Sequence, residues 1–495
     1  MSWFSWMYSL TLLGMSILGV NMVLLTLVAL AVRLWPRKPR APLPVPNEDE
    51  WPTVLVQLPV FNERYVVERL IDAVIAMDYP ADRVVVQVLD DSTDDTPGIA
   101  RSRVAYYRAR GRNIVYAHRT DRGGFKAGAL AAGLETADGE FVAIFDADFV
   151  PPADFLQRLI PEFAVDPRLA VVQSRWEHLN SEQDSLTRAE ALALDGYFGV
   201  EQFARSQLNL LMNFNGSAGI WRRAAIADAG GWQGDTLAED LDLSYRAQLR
   251  GWRLVYRPEV ASPAELPTSI LAFKRQQFRW AKGSFQVLRK LGPQVFDTDM
   301  PMFRKAEGLI HLAAYVAHSL LLVSLLLSLP VVLIDHGQTP MRWGLAWLAG
   351  LGPPLVGIVA QISLRKDWPR RLMYYPVLVL IGIGLAVTNT HATWEAFTGK
   401  SNEFLRTPKA PSGGGAMHNY ALPLDWTTWA ECFLAFYALV TGMLALDLAR
   451  GLAPFIFLYA AGFGYTAMLG FMQADRVEQR RTARQTQTNY PAAPG

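Results

Sequence analysis

Six stretches of this chain are long, apolar and almost free of Asp, Glu, Lys and Arg: about 8–32, 308–334, 344–364, 372–394, 428–446 and 452–474. Each is near the roughly 20 residues that cross a bilayer as a helix. Between the first and second lies a charged stretch of mixed pattern, about 35–305. The pattern predicts an integral membrane protein with one large aqueous domain inserted after its first span. The 495 residues carry a formal net charge of +1, which gives no reason to expect nucleic acid as a partner. The single cysteine, Cys432, lies in an apolar segment, so no intramolecular disulfide can form.

Charge sets an expected orientation. Residues 8–32 are too long for a cleavable signal peptide, and the positive charges follow the run. They read as a signal anchor, with Arg33, Arg37, Lys38 and Arg40 on the cytoplasmic side. If all six segments span, the C-terminal Arg476, Arg480, Arg481 and Arg484 fall outside. If 372–394 lies in the interface or re-enters, these and Arg365, Lys366, Arg370, Arg371, Lys400, Arg406 and Lys409 all fall inside. Five spans plus one interfacial helix, about 372–398, is therefore the preferred reading. Six ordinary spans is the alternative. The expected division is an N-terminal anchor at 1–35, a cytoplasmic domain at 36–305, a helix bundle at 306–475 and a disordered tail at 476–495.

Within the aqueous stretch, "TVLVQLPV" (53–60), "VVVQVLDDS" (84–92), "NIVYAHR" (113–119) and "FVAIFDAD" (141–148) read as strands. Helical stretches near 61–76, 97–110 and 126–137 alternate with them, which argues for a parallel sheet of βαβ units. Ligands bind outside the carboxyl ends of such sheets. Asn62, Glu63, Asp90, Asp91 and Asp146 fall at those ends. There is no GxGxxG after the first strand and no GxxxxGKS, so a dinucleotide Rossmann site and a P-loop find no support.

Three clusters carry chemistry. Asp146 and Asp148 follow an apolar run, and a buried carboxylate is normally paired or metal-bound. Two carboxylates with open positions suit Mg²⁺ or Mn²⁺ completed by phosphate oxygens. Asp-x-Asp is also an ordinary turn or cap pair. "TLAEDLDLSYRAQLRGW" (236–252) reads as a helix with acids in its first turn, a placement the helix dipole alone favours. "KRQQFRWAKG" (274–283) packs four cations, two glutamines and an indole into ten residues. By itself it is equally an interfacial amphipathic helix.

Taken in order, "LDDSTDDT", "DAD", "AED" and "QQFRW" resemble the D, DxD, TED and QxxRW motifs of processive family-2 glycosyltransferases: the cellulose, hyaluronan and chitin synthases and the cellulose-synthase-like mannan and glucan synthases. The resemblance covers roughly 50–410. "QSRWEHLN", "FNGSAG" and "FLRTPK" look closest to the mannan and glucan synthases. It implies an α/β GT-A domain inserted in an all-α transmembrane bundle. It also implies roles. Asn62, Glu63, Asp90 and Asp91 would meet the nucleoside, and Lys126 the diphosphate. Asp146 and Asp148 would hold the metal, with Asp146 also beside the donor. Asp240 would be the general base. Gln276, Arg279 and Trp280 would clamp the donor diphosphate and the acceptor sugar, flanked by Trp176, Gly216, Ser217 and Glu239. "SNEFLRTPK" (401–409) resembles a gating loop, through which Thr407 and Lys409 would reach the donor; a basic juxtamembrane linker is the plainer reading. Two departures are visible: Ala238 stands where Thr is expected, and Arg406 where Val is expected.

The implied reaction is inverting transfer from UDP-glucose or GDP-mannose to a growing glycan. It gives a β-linked product, by resemblance 1,4, translocated across a bacterial inner or plasma membrane. Accessory subunits are left open. A non-processive glycosyltransferase acting on diacylglycerol or ceramide is the alternative. A transporter with a nucleotide-binding domain is disfavoured, because the apolar segments carry almost no ionisable residues.

Overall fold

The computed structural model describes residues 2–35, 50–336, 340–399 and 424–488. Seven strands form one mixed sheet: β1 (Val54–Val60), β2 (Val84–Asp90), β3 (Ile114–His118), β4 (Phe141–Ile144), β5 (Leu169–His178), β6 (Gly219–Arg222) and β7 (Arg253–Ala264). Their order is β3-β2-β1-β4-β6-β5-β7. The first four run parallel, β1 between β2 and β4. That makes the β1–β4 boundary the point where the winding reverses, and a crevice opens there. β6 is antiparallel to both β4 and β5. It therefore brings the loop before it, 213–218, to the end of the sheet where β4 stops.

The strands are apolar on both faces because both are covered. Leu70, Ile71 and Phe155 pack on one side with Val56 and Val88. Leu130, Trp221 and Leu243 pack on the other with Val142 and Ile144. β4 ends at Ile144, shorter than the run "FVAIFDAD" suggests, so Asp146 and Asp148 sit in the loop that follows. The helix after β1 begins at Val67, not near 61. Asn62 adopts a left-handed φ of 56° and its N–H donates to Ser92 Oγ at 2.7 Å, which turns the chain before the helix can start.

Among the described residues, five helices are long and apolar enough to cross a membrane: Trp3–Leu34, Val316–Asp335, Trp347–Leu364, Trp426–Leu448 and Ala453–Ala474. Residues 368–398 form two helices bent by 41°, which pass the same test only as a pair. The first helix crosses Pro340–Leu364 at small residues. A Cβ on Gly19 would lie 2.4 Å from Leu348 O, and one on Gly352 would lie 2.6 Å from Gly19 O. Bare glycines allow this close backbone approach, on which helix packing in lipid depends. The last helix runs on to Thr488, where the sequence reading expected a disordered tail. Its Arg, Glu, Gln and Ala residues are good helix formers.

The helix Ile270–Asp297, here called the motif helix, joins the two halves. Gln276, Arg279 and Trp280 recur at helical spacing on the face toward the sheet domain. Lys274 and Lys282 lie on the opposite face, as the 3.6-residue period requires. Lys274 is buried, with Nζ 2.6 Å from Glu431 Oε1 on the helix Trp426–Leu448. Lys282 reaches Glu395 at 3.1 Å, and Arg289 donates to Ala396 O at 2.9 Å, both on the second half of the bent pair.

Removing one member of a buried pair leaves an uncompensated charge, at a cost of roughly 3–5 kcal/mol. Lys274→Met or Glu431→Leu alone is therefore expected to lower the thermal unfolding midpoint in detergent sharply. The double variant should recover most of the loss. Additive losses in the double variant would mean that the pair does not hold the motif helix.

Candidate active site

Asp146 opens the loop after β4, and its N–H donates to Ser217 Oγ at 2.9 Å. The loop 213–218 lies alongside because of Gln173 on β5. The Gln173 amide donates to Ser217 O and Ala218 O, each at 3.0 Å, and its Oε1 accepts from Asn215 N at 3.0 Å. Gly216 has φ +78°, where a side chain is strained, and a Cβ there would sit 2.9 Å from Asp240 Oδ2. Glycine is thus required twice over, by conformation and by the carboxylate packed against it.

Lys126 enters from the first turn of the helix Phe125–Thr136, which follows Gly124 at φ +70°. Its ammonium lies 2.5 Å from Asp146 Oδ1, donates to Gly216 O at 2.8 Å and stands 3.9 Å from Glu239 Oε1. Burial works against its charge, but Asp146, Glu239 and Asp240 outweigh burial and hold the lysine above its ordinary range. Asp240 lies in the first turn of the helix Glu239–Leu249. Burial, reinforced by Glu239, pushes its carboxyl up to about 7, against the pull of Lys126 and of the Leu241 N–H. A carboxylate poised near neutrality suits proton transfer.

The motif helix forms the facing wall with Gln276, Arg279 and Trp280. Two contacts set its distance. A Cβ on Gly283 would fall 2.7 Å from Ala238 Cβ, and Gln286 Oε1 accepts from Leu237 N at 2.8 Å. Ala238, where the sequence reading expected threonine, is thus the residue that meets Gly283. Trp176 stands at the end of β5, edge-on to Phe149 at 5.3 Å, its indole N–H donating to Ser217 O at 3.3 Å. Glu177 and His178 continue that wall. Arg365, just past the end of the helix Pro340–Leu364, grips Glu177 Oε1 at 2.7 Å and Asp195 Oδ1 at 2.7 Å. His178 contacts the same Asp195 at 3.3 Å.

Of the residues expected from sequence, Glu63, Asp91, Lys126, Asp146, Asp148, Trp176, Gly216, Glu239, Asp240, Gln276, Arg279 and Trp280 line this one cleft. Asn62, Asp90 and Ser217 stand behind it. Asp90 is buried, with its oxygens taken by the Tyr116 hydroxyl at 2.7 Å and Ser92 N at 2.8 Å. Asn62 Oδ1 accepts from Thr93 N at 2.8 Å. Thr407 and Lys409 lie outside the described residues. Three contributors were missed by sequence reading. Arg119 holds Asp91 by two bonds, 2.8 and 2.6 Å. Arg122 lines the cleft with its guanidinium 3.4 Å above the Phe61 ring, and burial lowers its pKa. Arg365 holds the wall. The signal for the first two was legible: two arginines three apart, between a strand end and a glycine-rich helix start.

Among the described residues, no group of three or more His, Cys, Asp or Glu has the arrangement of a metal cage. Asp146 and Asp148 nevertheless fit a divalent cation that takes its remaining ligands from phosphate and water. A cationic group already rests on Asp146 Oδ1, which shows that the position favours positive charge.

Residues 52–283 match the family model described as "Glycosyltransferase like family 2". Two proteins of Arabidopsis thaliana are similar over most of their length. Glucomannan 4-beta-mannosyltransferase 2 is 36% identical over 80% of this chain and 76% of its own. Glucomannan 4-beta-mannosyltransferase 9 is 34% identical over 79% and 75%. These relatives are plant proteins, so they lend nothing to the expectation of a bacterial membrane. The solved mannosyltransferase PcManGT from Pyrobaculum calidifontis, in complex with GDP-Man and Mn²⁺, superposes with a TM-score of 0.54. It is 22% identical and covers 79% of this chain and 100% of its own, a likeness of fold. The fold is the GT-A type.

Gly216→Ala should leave the thermal midpoint within a few degrees of wild type, since the loop is held by Gln173 and not by residue 216. It should cut turnover about 100-fold, the scale of a misplaced reacting group. Unchanged turnover would show that the Gly216–Asp240 contact is incidental.

Proposed function

We propose that this chain, which belongs to the family-2 glycosyltransferases, is an inverting, processive synthase of a β-1,4-linked mannan or glucomannan, with GDP-mannose its first donor and UDP-glucose its second. The observation that carries this reading is Asp240. It is a carboxylate raised to about 7, packed on Gly216 and facing the Lys126–Asp146 pair across a cleft walled by Gln276, Arg279 and Trp280. The mannosyltransferase names of relatives that match about three quarters of their own length support this choice of sugar and linkage.

In this reading the donor lies with its nucleoside near Glu63, Asp91 and Arg122 and its diphosphate near Lys126 and Arg279. Asn62, Asp90 and Ser217 hold the turns behind it. Mg²⁺ or Mn²⁺, held by Asp146 and Asp148, supplies electrostatic neutralisation of the leaving diphosphate. The acceptor sugar stacks on Trp280 and Trp176, whose apolar rings match the face of a pyranose. Asp240 takes the proton of the acceptor hydroxyl as that oxygen bonds to the donor's anomeric carbon. The anomeric carbon–phosphate bond breaks on the opposite side, and the nucleoside diphosphate leaves with the electron pair. Attack from the far side of an α-linked donor yields a β product. Lys126 and Arg279 face the oxygens where charge develops, and fixed cations in a water-poor cleft act strongly there. The catalytic domain faces the cytoplasm, and the glycan leaves through the bundle, past Trp176 and the bent pair.

The test is incorporation of labelled GDP-mannose and UDP-glucose by detergent-purified protein, with and without Mg²⁺ or Mn²⁺, followed by sizing of the product. Metal-dependent polymer of high mass is expected. A short labelled glycolipid would move the chain to the lipid transferases. Asp240→Asn should lose on the order of 10²–10⁴-fold in rate. The base form of Asp240 increases as pH rises through its folded pKa. The wild-type kcat/KM should therefore climb up to about pH 7 and then flatten. A profile flat from pH 5 to 8 would remove Asp240 from the proton-transfer role.

A further inference from the structure

We propose that Lys126 is an internal stand-in for the divalent cation, occupying Asp146 until a donor diphosphate draws the ammonium away, so that metal binding waits for the donor. This rests on the donor chemistry proposed above for the same cleft.

The argument begins with the partners of the ammonium. A lysine has three donor hydrogens and no acceptor. Lys126 uses them on Asp146 Oδ1 at 2.5 Å and Gly216 O at 2.8 Å, with Glu239 farther off at 3.9 Å. Asp146 is thereby committed to a counter-charge supplied by the chain itself. The Lys126 side chain is 17% exposed and that of Asp146 35%, so the ammonium is mostly withdrawn from water while the carboxylate still reaches it. A divalent ion sharing Asp146 would meet an ammonium in contact with the same carboxylate, and like charges at such distance repel. Asp146 therefore serves Lys126 or the metal, not both at full strength.

Relief requires an anion within reach of the lysine. The stem is long and flexible, and its head is a compact charge that re-aims without losing hydrogen bonds. It grows from the first turn of the helix Phe125–Thr136, and the dipole at such a helix start favours a phosphate. A diphosphate at that helix start offers the ammonium new acceptors and releases Asp146. Metal and diphosphate then assist one another, and linkage makes the assistance reciprocal. An enzyme built this way holds its metal only while a donor or spent nucleotide is present.

Binding of Mn²⁺ to the full-length protein in detergent tests this directly. The free-ion electron paramagnetic resonance signal is titrated with Mn²⁺ alone and with Mn²⁺ plus GDP or UDP. Wild type should bind Mn²⁺ alone weakly and at least about tenfold more tightly with nucleotide, a coupling of ordinary size. Lys126→Met should bind Mn²⁺ alone about tenfold more tightly than wild type and lose most of the coupling. Lys126→Gln removes the charge and keeps a donor for Gly216 O, so it serves if the methionine variant unfolds. Asp148→Asn should abolish binding in every background, which locates the ion. Lysine variants that bind Mn²⁺ alone no better than wild type overturn the inference and leave the proposed function standing. Absence of Mn²⁺ binding by wild type even with nucleotide overturns both.

Discussion

The buried contact between Lys274 and Glu431 governs how the two halves of this protein meet. Lipid-facing helices and a soluble sheet domain share no common solvent, so apolar packing alone does not fix their register. An ion pair sealed from water does, because sliding by one residue would leave a bare charge inside. The same logic recurs along the junction. Lys282 meets Glu395, and Arg365 meets Glu177 and Asp195. Arg33, in the last turn of the first helix, donates to Gly199 O at 2.6 Å. That carbonyl lies in a π-helical turn, Tyr197–Gln202, a geometry often found near functional sites.

These contacts determine the cleft, because the motif helix has two faces. One is pinned to the bundle through Lys274 and Lys282. The other carries Gln276, Arg279 and Trp280 to the site. The opposite wall is fixed from the sheet by Gln173 and the glycine at 216. Between them stand Asp146, Glu239 and Asp240 around a single ammonium. Burial first, and that imbalance with it, raises Asp240 toward neutrality. A cleft with this surplus of negative charge is poorly suited to an anionic substrate until cations balance it. Arg122 and Arg279 at its edges contribute part of that balance.

Much of this was legible in the chain. Apolar runs ending in acids placed the strands and their ligand-bearing ends, since a buried strand and a polar crevice impose that pattern locally. The acids of "AED" and the glutamine, arginine and tryptophan of "QQFRW" likewise came to one cleft. Other features depended on distant pairing. The antiparallel direction of β6, only four residues long, is set by its neighbours β4 and β5 and has no local signal. The bond from Tyr116 on β3 to Asp90 is likewise a pairing with no local signal. The question of what neutralises Asp146 had a ready answer in a metal. The chain supplies a second from 20 positions upstream, visible only once the helix beginning at Phe125 is laid against the sheet. The bent pair at 368–398 shows the limit of composition: its apolar content resembles a span, and its break at Leu385 is a matter of packing.

The meeting of Gly283 with Ala238 ties two motifs that sequence presents as separate. With a bare glycine on one side and a single methyl on the other, the motif helix and the start of the Glu239–Leu249 helix behave as one rigid piece. Neither can acquire a larger residue unless the other retreats, and both already sit at the small end of the scale. Each position therefore limits what the other can hold. A chimera that takes its acidic motif from a threonine-bearing relative and its "QQFRW" helix from this chain would force the walls of the cleft apart at the point where acceptor and base must meet.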